Sequence, residues 1–89
     1  MEQTDTWKPQ QVDGLDICEV VDGYVVYEAG TDRVHYLNNT AALVLELCTG
    51  GNSREDITTL LRSAFELPGA PNGEVDEILG SFARECLIR

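Results

Sequence analysis

Eighty-nine residues make one domain and leave no room for two. A chain of that length buries roughly 60–65% of its unfolded surface, enough for one core without metal or disulfide staples. Its apolar fraction of 43% and charged fraction of 25% are ordinary, but sixteen acids against six Lys and Arg give a net charge of −10, a surface that stays soluble, repels nucleic acid and anionic membrane, and favours basic or mixed ligands.

Residues 1–14 are polar and aperiodic, with Trp7 and Val12 as the large apolar side chains, and read as a flexible N-terminal tail. Trp7 could fold back onto a groove. Leu15 to Val21 is the first strand, with apolar Leu15 and Ile17 alternating with polar neighbours. Asp22-Gly23 is the strongest short hairpin signal, because both central positions of a type I′ turn need positive φ. Tyr24 to Ala29 is a second strand rich in β formers, Gly30 to Asp32 a second turn, and Arg33 to Leu37 a third strand. Two short loops join three strands into an antiparallel meander, so the third strand is an edge unless something covers it.

At Asn38-Asn39-Thr40 the chain turns into a helix, with side-chain oxygens placed to accept from its first free N–H groups. This helix, Thr40 to Cys48, carries only Glu46 as a charge, the mark of a buried helix. Thr49-Gly-Gly51 stops it. Ser53 with Asp56 is a capping signature, followed by Ile57, Leu60, Leu61, Ala64 and Phe65 at helical spacing. Pro68-Gly69 ends that second helix. A third starts near Asn72 to Glu74, with Val75, Ile78, Leu79, Phe82, Ala83 and Cys86 as its apolar stripe. Its first acids, Glu74, Asp76 and Glu77, suit the helix dipole better than a cation site. The expected architecture is α+β, a three-stranded antiparallel meander followed by three α-helices.

No catalytic set emerges. His35 is the single histidine and lies in a strand, as a half-exposed residue. Cys18, Cys48 and Cys86 are far apart, lack the spacing of a zinc site, and read as reduced thiols. Phosphate-loop, dinucleotide, metalloprotease and serine-hydrolase motifs are missing. No enzyme, no metal and no cofactor is expected. Met1 is followed by polar residues through Asp5, and no apolar run approaches 18 residues, so the expectation is a cytoplasmic protein. What remains is shape: a free sheet edge beside an amphipathic helix, to which an extended peptide can add as a strand.

The order of these parts resembles the PqqD-like family, the peptide recognition elements of ribosomal peptide (RiPP) biosynthesis. Three runs carry it. Val34-His-Tyr-Leu-Asn-Asn-Thr-Ala-Ala42, continuing as Val44-Leu-Glu-Leu47, resembles the family's "LN … A … I-x-E/x-L". Gly50-Gly-Asn-Ser-Arg-Glu-Asp-Ile57 resembles "DG-x-x-T/S-x-x-x-I". Val75, Ile78-Leu79, Phe82 and Leu87-Ile88 resemble its "V-x-x-x-V/I-L-x-x-L-x-x-x-G-L-I" ending. Cys86 stands where that ending often has Gly, so a looser turn into Leu87 is expected, and Gly50-Gly51 replaces "DG". The resemblance assigns residues 15–89 to a PqqD-like peptide-binding domain and implies a winged-helix-like fold. It implies a non-catalytic peptide chaperone that binds the leader of a precursor peptide and delivers it to a modifying enzyme such as a radical SAM protein. The leader would add beside Arg33, Val34, His35, Tyr36 and Leu37, in a cleft walled by Val75, Ile78, Leu79, Phe82 and Ala83. An acidic leader residue could meet Arg33.

Which face of the third helix meets the leader stays open. Ile78 and Phe82 fit core or cleft, and Val34 and Tyr36 could face the core while only their backbone meets a peptide. A small interaction or regulatory subunit is the alternative. A winged-helix DNA-binding protein would need a basic recognition helix, whereas the second helix has Arg54 and Arg62 and the third Arg84. Either a monomer or a weak dimer through the free edge is compatible with the sequence.

Overall fold

A computed structural model describes residues 7–89. It contains β1 (Leu15–Val20), β2 (Gly23–Glu28), β3 (Arg33–Leu37), α1 (Asn39–Leu47), α2 (Arg54–Ala64) and α3 (Asn72–Arg84), an α+β arrangement as expected. The sheet is antiparallel in the order β1-β2-β3. All three helices contribute to one core. Val44, Leu45, Ile57, Leu61, Val75, Leu79 and Phe82 pack with Val26 from the central strand and with Leu87 and Ile88. Partly buried Leu15, Ile17 and Leu37 join them, so the helices lie on one face of the sheet.

The first hairpin turns one residue earlier than the Asp22-Gly23 signal implies. Val20 pairs with Gly23, leaving Val21 and Asp22 as the loop, and neither has positive φ. Gly23 is required for another reason. Its φ is +154°, and a Cβ there would stand 2.4 Å from the Leu37 carbonyl oxygen.

Asn38 caps α1 by accepting from the Ala41 N–H at 2.8 Å. Ser53 and Asp56 form a reciprocal capping box at 3.1 Å in each direction. On α2 the buried residues are Ile57, Thr58 and Leu61. Leu60 and Phe65, expected on the apolar stripe, are 43% and 41% exposed. Thr58 takes a core position because its hydroxyl donates to the Arg54 carbonyl at 2.9 Å. Ala83 and Cys86 likewise leave the stripe of α3 and are exposed.

The expected tail is tied down over its second half. Gln10 exchanges backbone bonds with Arg89 at 3.0 and 2.9 Å, the Gln11 N–H donates to the Cys48 carbonyl at 2.9 Å, and the Val12 N–H donates to the Leu87 carbonyl at 3.0 Å. Pro9 is buried. This strap binds the end of α1 to the C-terminal residues; residues 1–6 lie outside the described residues.

Both α2 and α3 end in a Schellman motif with a non-glycine residue in the left-handed position. In α3 the Cys86 N–H donates to the Ala83 carbonyl at 3.1 Å and the Leu87 N–H to the Phe82 carbonyl at 2.9 Å. Cys86 has φ +63°, and Glu66 plays the same part in α2 at +52°. The turn before Leu87 is therefore formed, not loosened, with strain at Cys86. A left-handed L-residue costs about 1–2 kcal/mol, while a Gly adds about 0.5–1 kcal/mol of unfolded-state entropy. Cys86→Gly should stabilise the chain by up to about 1 kcal/mol, raising its melting temperature by about 4–8 °C in a thermal unfolding scan. An unchanged or lower midpoint would remove the strain argument.

Candidate functional site

The register decides what the edge strand offers. The Ala29 N–H donates to the Gly14 carbonyl at 2.9 Å, one step beyond the Leu15–Glu28 pair. Main-chain groups alternate in direction along a strand. Val25 and Tyr27 therefore point theirs at β1, and Tyr24, Val26 and Glu28 at β3. Their partners Leu37, His35 and Arg33 point back at β2. Val34 and Tyr36 turn their N–H and C=O groups outward, and no backbone group of another described segment bonds to them. Side chains alternate too. Arg33, His35 and Leu37 share the helix-covered face with Val26, whereas Val34 and Tyr36 stand on the opposite face, 44% and 80% exposed.

Charged groups gather where β3 begins. The His35 Nε2 donates to a Glu28 carboxylate oxygen at 2.5 Å. The Arg33 Nε lies 3.4 Å from that same oxygen, and the Arg33 guanidinium also pairs with Glu85, the C-cap of α3. The hydrogen bond from His35, assisted by the Arg33 charge, holds the Glu28 carboxyl below its ordinary value of 4.5 despite some opposing desolvation. A depressed carboxylate stabilises the fold above its unfolded value and loses that contribution as pH falls through its folded one. Melting curves of the parent and Glu28→Gln across pH 2–7 should thus differ most above 4.5 and converge below it. A gap that widened with acid would contradict this arrangement.

The residues expected to wall a cleft divide three ways. Val75, Leu79 and Phe82 are buried at 0%, 2% and 3% exposure and belong to the core. Ile78 is partly buried at its margin. Ala83 lies on another flank, in a depression lined by Trp7, Arg54, Asp76, Leu79 and Gly80. Arg54 there bonds Asp76 at 2.7 Å. At 100° per residue, Asp76, Gly80 and Ala83 form that flank, while Ile78, Ser81 and Glu85 form the opposite one. Arg33 reaches Glu85, so the flank of Ile78 and Ser81 is the one turned toward β3. No Cα atom of β3 comes within 8 Å of one in α3. The interval between them is framed by a free strand edge, an apolar margin at Ile78 and an ion pair. Ser81 and Glu85 were not singled out from the sequence; their spacing of three and seven from Ile78 marks the flank, but only the Arg33 contact shows which flank faces the sheet.

Other chemistry is sparse among the described residues. No group of three or more His, Cys, Asp and Glu side chains is placed to hold a metal. Burial pushes the Cys48 thiol up to about 12, which suppresses its thiolate, while Cys18 and Cys86 are exposed. Among the described residues, no helix is long and apolar enough to cross a membrane.

No curated protein and no solved structure matches the chain at a significant level. The family model described as coenzyme PQQ synthesis protein D (PqqD) matches residues 23–88. That span runs from the start of β2 through the edge strand and all three helices to Ile88. The chain therefore belongs to the PqqD family.

Proposed function

We propose that the protein is a non-catalytic peptide chaperone. It binds the leader of a ribosomally made precursor peptide as a fourth strand along β3 and delivers it to a modifying enzyme such as a radical SAM protein. The observation that carries this reading is the outward backbone of Val34 and Tyr36, on an open edge facing the Ile78 flank of α3, in a PqqD-family chain. An added strand would bond to those groups without regard to side chain, and the flank of Ile78, Ser81 and Glu85 would select among leaders. Val75, Leu79 and Phe82 act behind that wall as its support. In this reading the protein works in the cytoplasm as a monomer or a weak dimer.

Titrating the ¹⁵N-labelled full chain with the leader of any precursor peptide found encoded next to its gene tests the reading. Amide shifts are expected at Arg33 to Leu37 and at Ile78, Ser81 and Glu85. Shifts confined to α2, or none at micromolar peptide, would refute strand addition.

A further inference from the structure

The sheet has a second open edge, at β1, on the side away from β3. The Ala29 N–H donates to the Gly14 carbonyl. By the alternation of main-chain groups, Asp16, Cys18 and Val20 therefore turn theirs toward β2, and Leu15, Ile17 and Glu19 turn theirs outward. No backbone group of another described segment bonds to those three. Among the described elements, only β2 brings a Cα atom within 8 Å of one in β1. Proteins blunt exposed edges with very short strands, proline, bulges or a covering segment. β1 has six residues in unbroken register, one more than β3, and no proline. It precedes residues 23–88, the span that the PqqD model matches.

The charge along this edge has one sign. Asp16 and Glu19 lie on β1, Asp13 just precedes it and Asp22 follows it. All four are exposed, and none makes an ion pair among the described residues. No Lys or Arg occurs from Pro9 to Asp32, whereas β3 carries Arg33 and His35. Side chains alternate across the sheet too. Asp16 stands on the helix-free face, and Glu19 shares the other face with Leu15 and Ile17, which are partly buried at the margin of the core. Carboxylates thus flank a narrow apolar ledge on both faces of the strand. An added strand would find open N–H and C=O groups at Leu15, Ile17 and Glu19, room for an apolar side chain beside Ile17, and anions for its cations at Asp16 and Glu19. A second copy would bring the same acids against each other, which disfavours self-pairing.

We infer that the β1 edge pairs with a basic extended segment of a partner protein, one that carries Lys or Arg on both sides of an apolar residue. Two strand spacings, about 10 Å, separate β1 from β3, so such a segment and a leader could be held at the same time. The inference does not depend on the leader reading, because none of its groups belongs to β3 or α3.

N-acetyl Lys-Lys-Val-Lys-Lys amide is a suitable probe, titrated into the ¹⁵N-labelled full chain. With its Val beside Ile17, it places a Lys opposite Asp16 and another opposite Glu19 in either strand direction. Amide shifts should centre on Leu15, Ile17 and Glu19 and spare Val34 and Tyr36. Glu-Glu-Val-Glu-Glu, which reverses the charge, and Lys-Lys-Pro-Lys-Lys, which keeps the charge but removes a main-chain donor, should each bind about tenfold more weakly. Glu19→Pro should weaken Lys-Lys-Val-Lys-Lys binding by a similar factor or more. Its N–H points outward and its side chain is exposed, so the ladder with β2 should survive. Equal binding of the acidic peptide would overturn the inference, as would equal binding of the proline peptide, which would leave only charge attraction. Shifts confined to β3, or none at millimolar peptide, would overturn it as well. So would shifts at β1 that grow with protein concentration alone, which would assign this edge to a second copy.

Discussion

The Tyr36→Pro variant should fold as the parent does and bind the leader about 10- to 100-fold more weakly. Proline removes the residue's N–H and places a ring along the strand edge. At position 36 that N–H points away from β2, so no sheet bond is lost, and edge positions of this kind are where strands tolerate proline. A bound strand would lose one main-chain donor and meet the ring. Leaving a buried acceptor unpaired costs about 1–3 kcal/mol, and each 1.4 kcal/mol is about tenfold in affinity. His35→Pro is the contrasting variant. Its N–H faces Val26 in the ladder, so the same substitution one residue earlier should destabilise the sheet itself. Tyr36→Ala separates side chain from backbone, because it keeps the N–H and should retain most of the main-chain affinity. A folded Tyr36→Pro chain that binds the leader as tightly as the parent would rule out β3 as the docking edge. The pair of prolines is informative because stability and binding should respond in opposite order.

Much of this site could be read from the residues, since strands and helices here are built on strong periodicities. The alternation in Arg33 to Leu37 and the meander order were enough to expect a free edge. Asp56 completed a capping box with Ser53 even though Glu or Gln is usual there. The flank of α3 was not legible. Val75, Ile78, Leu79, Phe82 and Ala83 form one continuous stripe in the sequence, and the core buries that stripe unevenly, taking in Val75, Leu79 and Phe82, part of Ile78 and leaving Ala83 exposed. Only the contact of Arg33 with Glu85 shows that Ile78 lies at the sheet side and the depression beside Trp7 that Ala83 lies at the other. The direction of the Val34 and Tyr36 backbone was also hidden, because it follows from a register one residue away from the obvious turn. Shifting a pairing by one residue exchanges the inward and outward sets completely.

The strap was the least legible element, and removing it should have the largest effect on stability. Pro9 to Val12 has no periodicity, and it is held by main-chain bonds that any residues could make. Deleting residues 1–12 would remove the bonds of Gln10 with Arg89, of Gln11 with Cys48, of Val12 with Leu87 and of Gly50 with the Pro9 carbonyl. It would also remove the Gln11 side-chain amide that donates to the Leu45 carbonyl at 2.9 Å. Each such bond contributes about 0.5–1.5 kcal/mol net, and burial of Pro9 adds to them; the entropy of ordering the strap opposes the sum. A net loss of about 3 kcal/mol is expected, a large share of the few to about 13 kcal/mol that a domain of this size holds. In urea the unfolding midpoint should fall in proportion, and the melting temperature should drop by about 10 °C or more. Gln11→Ala isolates the side-chain bond and should account for about 1 kcal/mol of the total. The cause is specific: without the strap, Leu87 and Ile88 lose the backbone that holds them over Cys48 and the core. Amide exchange should therefore quicken first at Leu87 to Arg89 and at the end of α1, while β1 and β2 stay protected. A truncated chain that melts with its parent would show that the C-terminal residues hold their place without the strap.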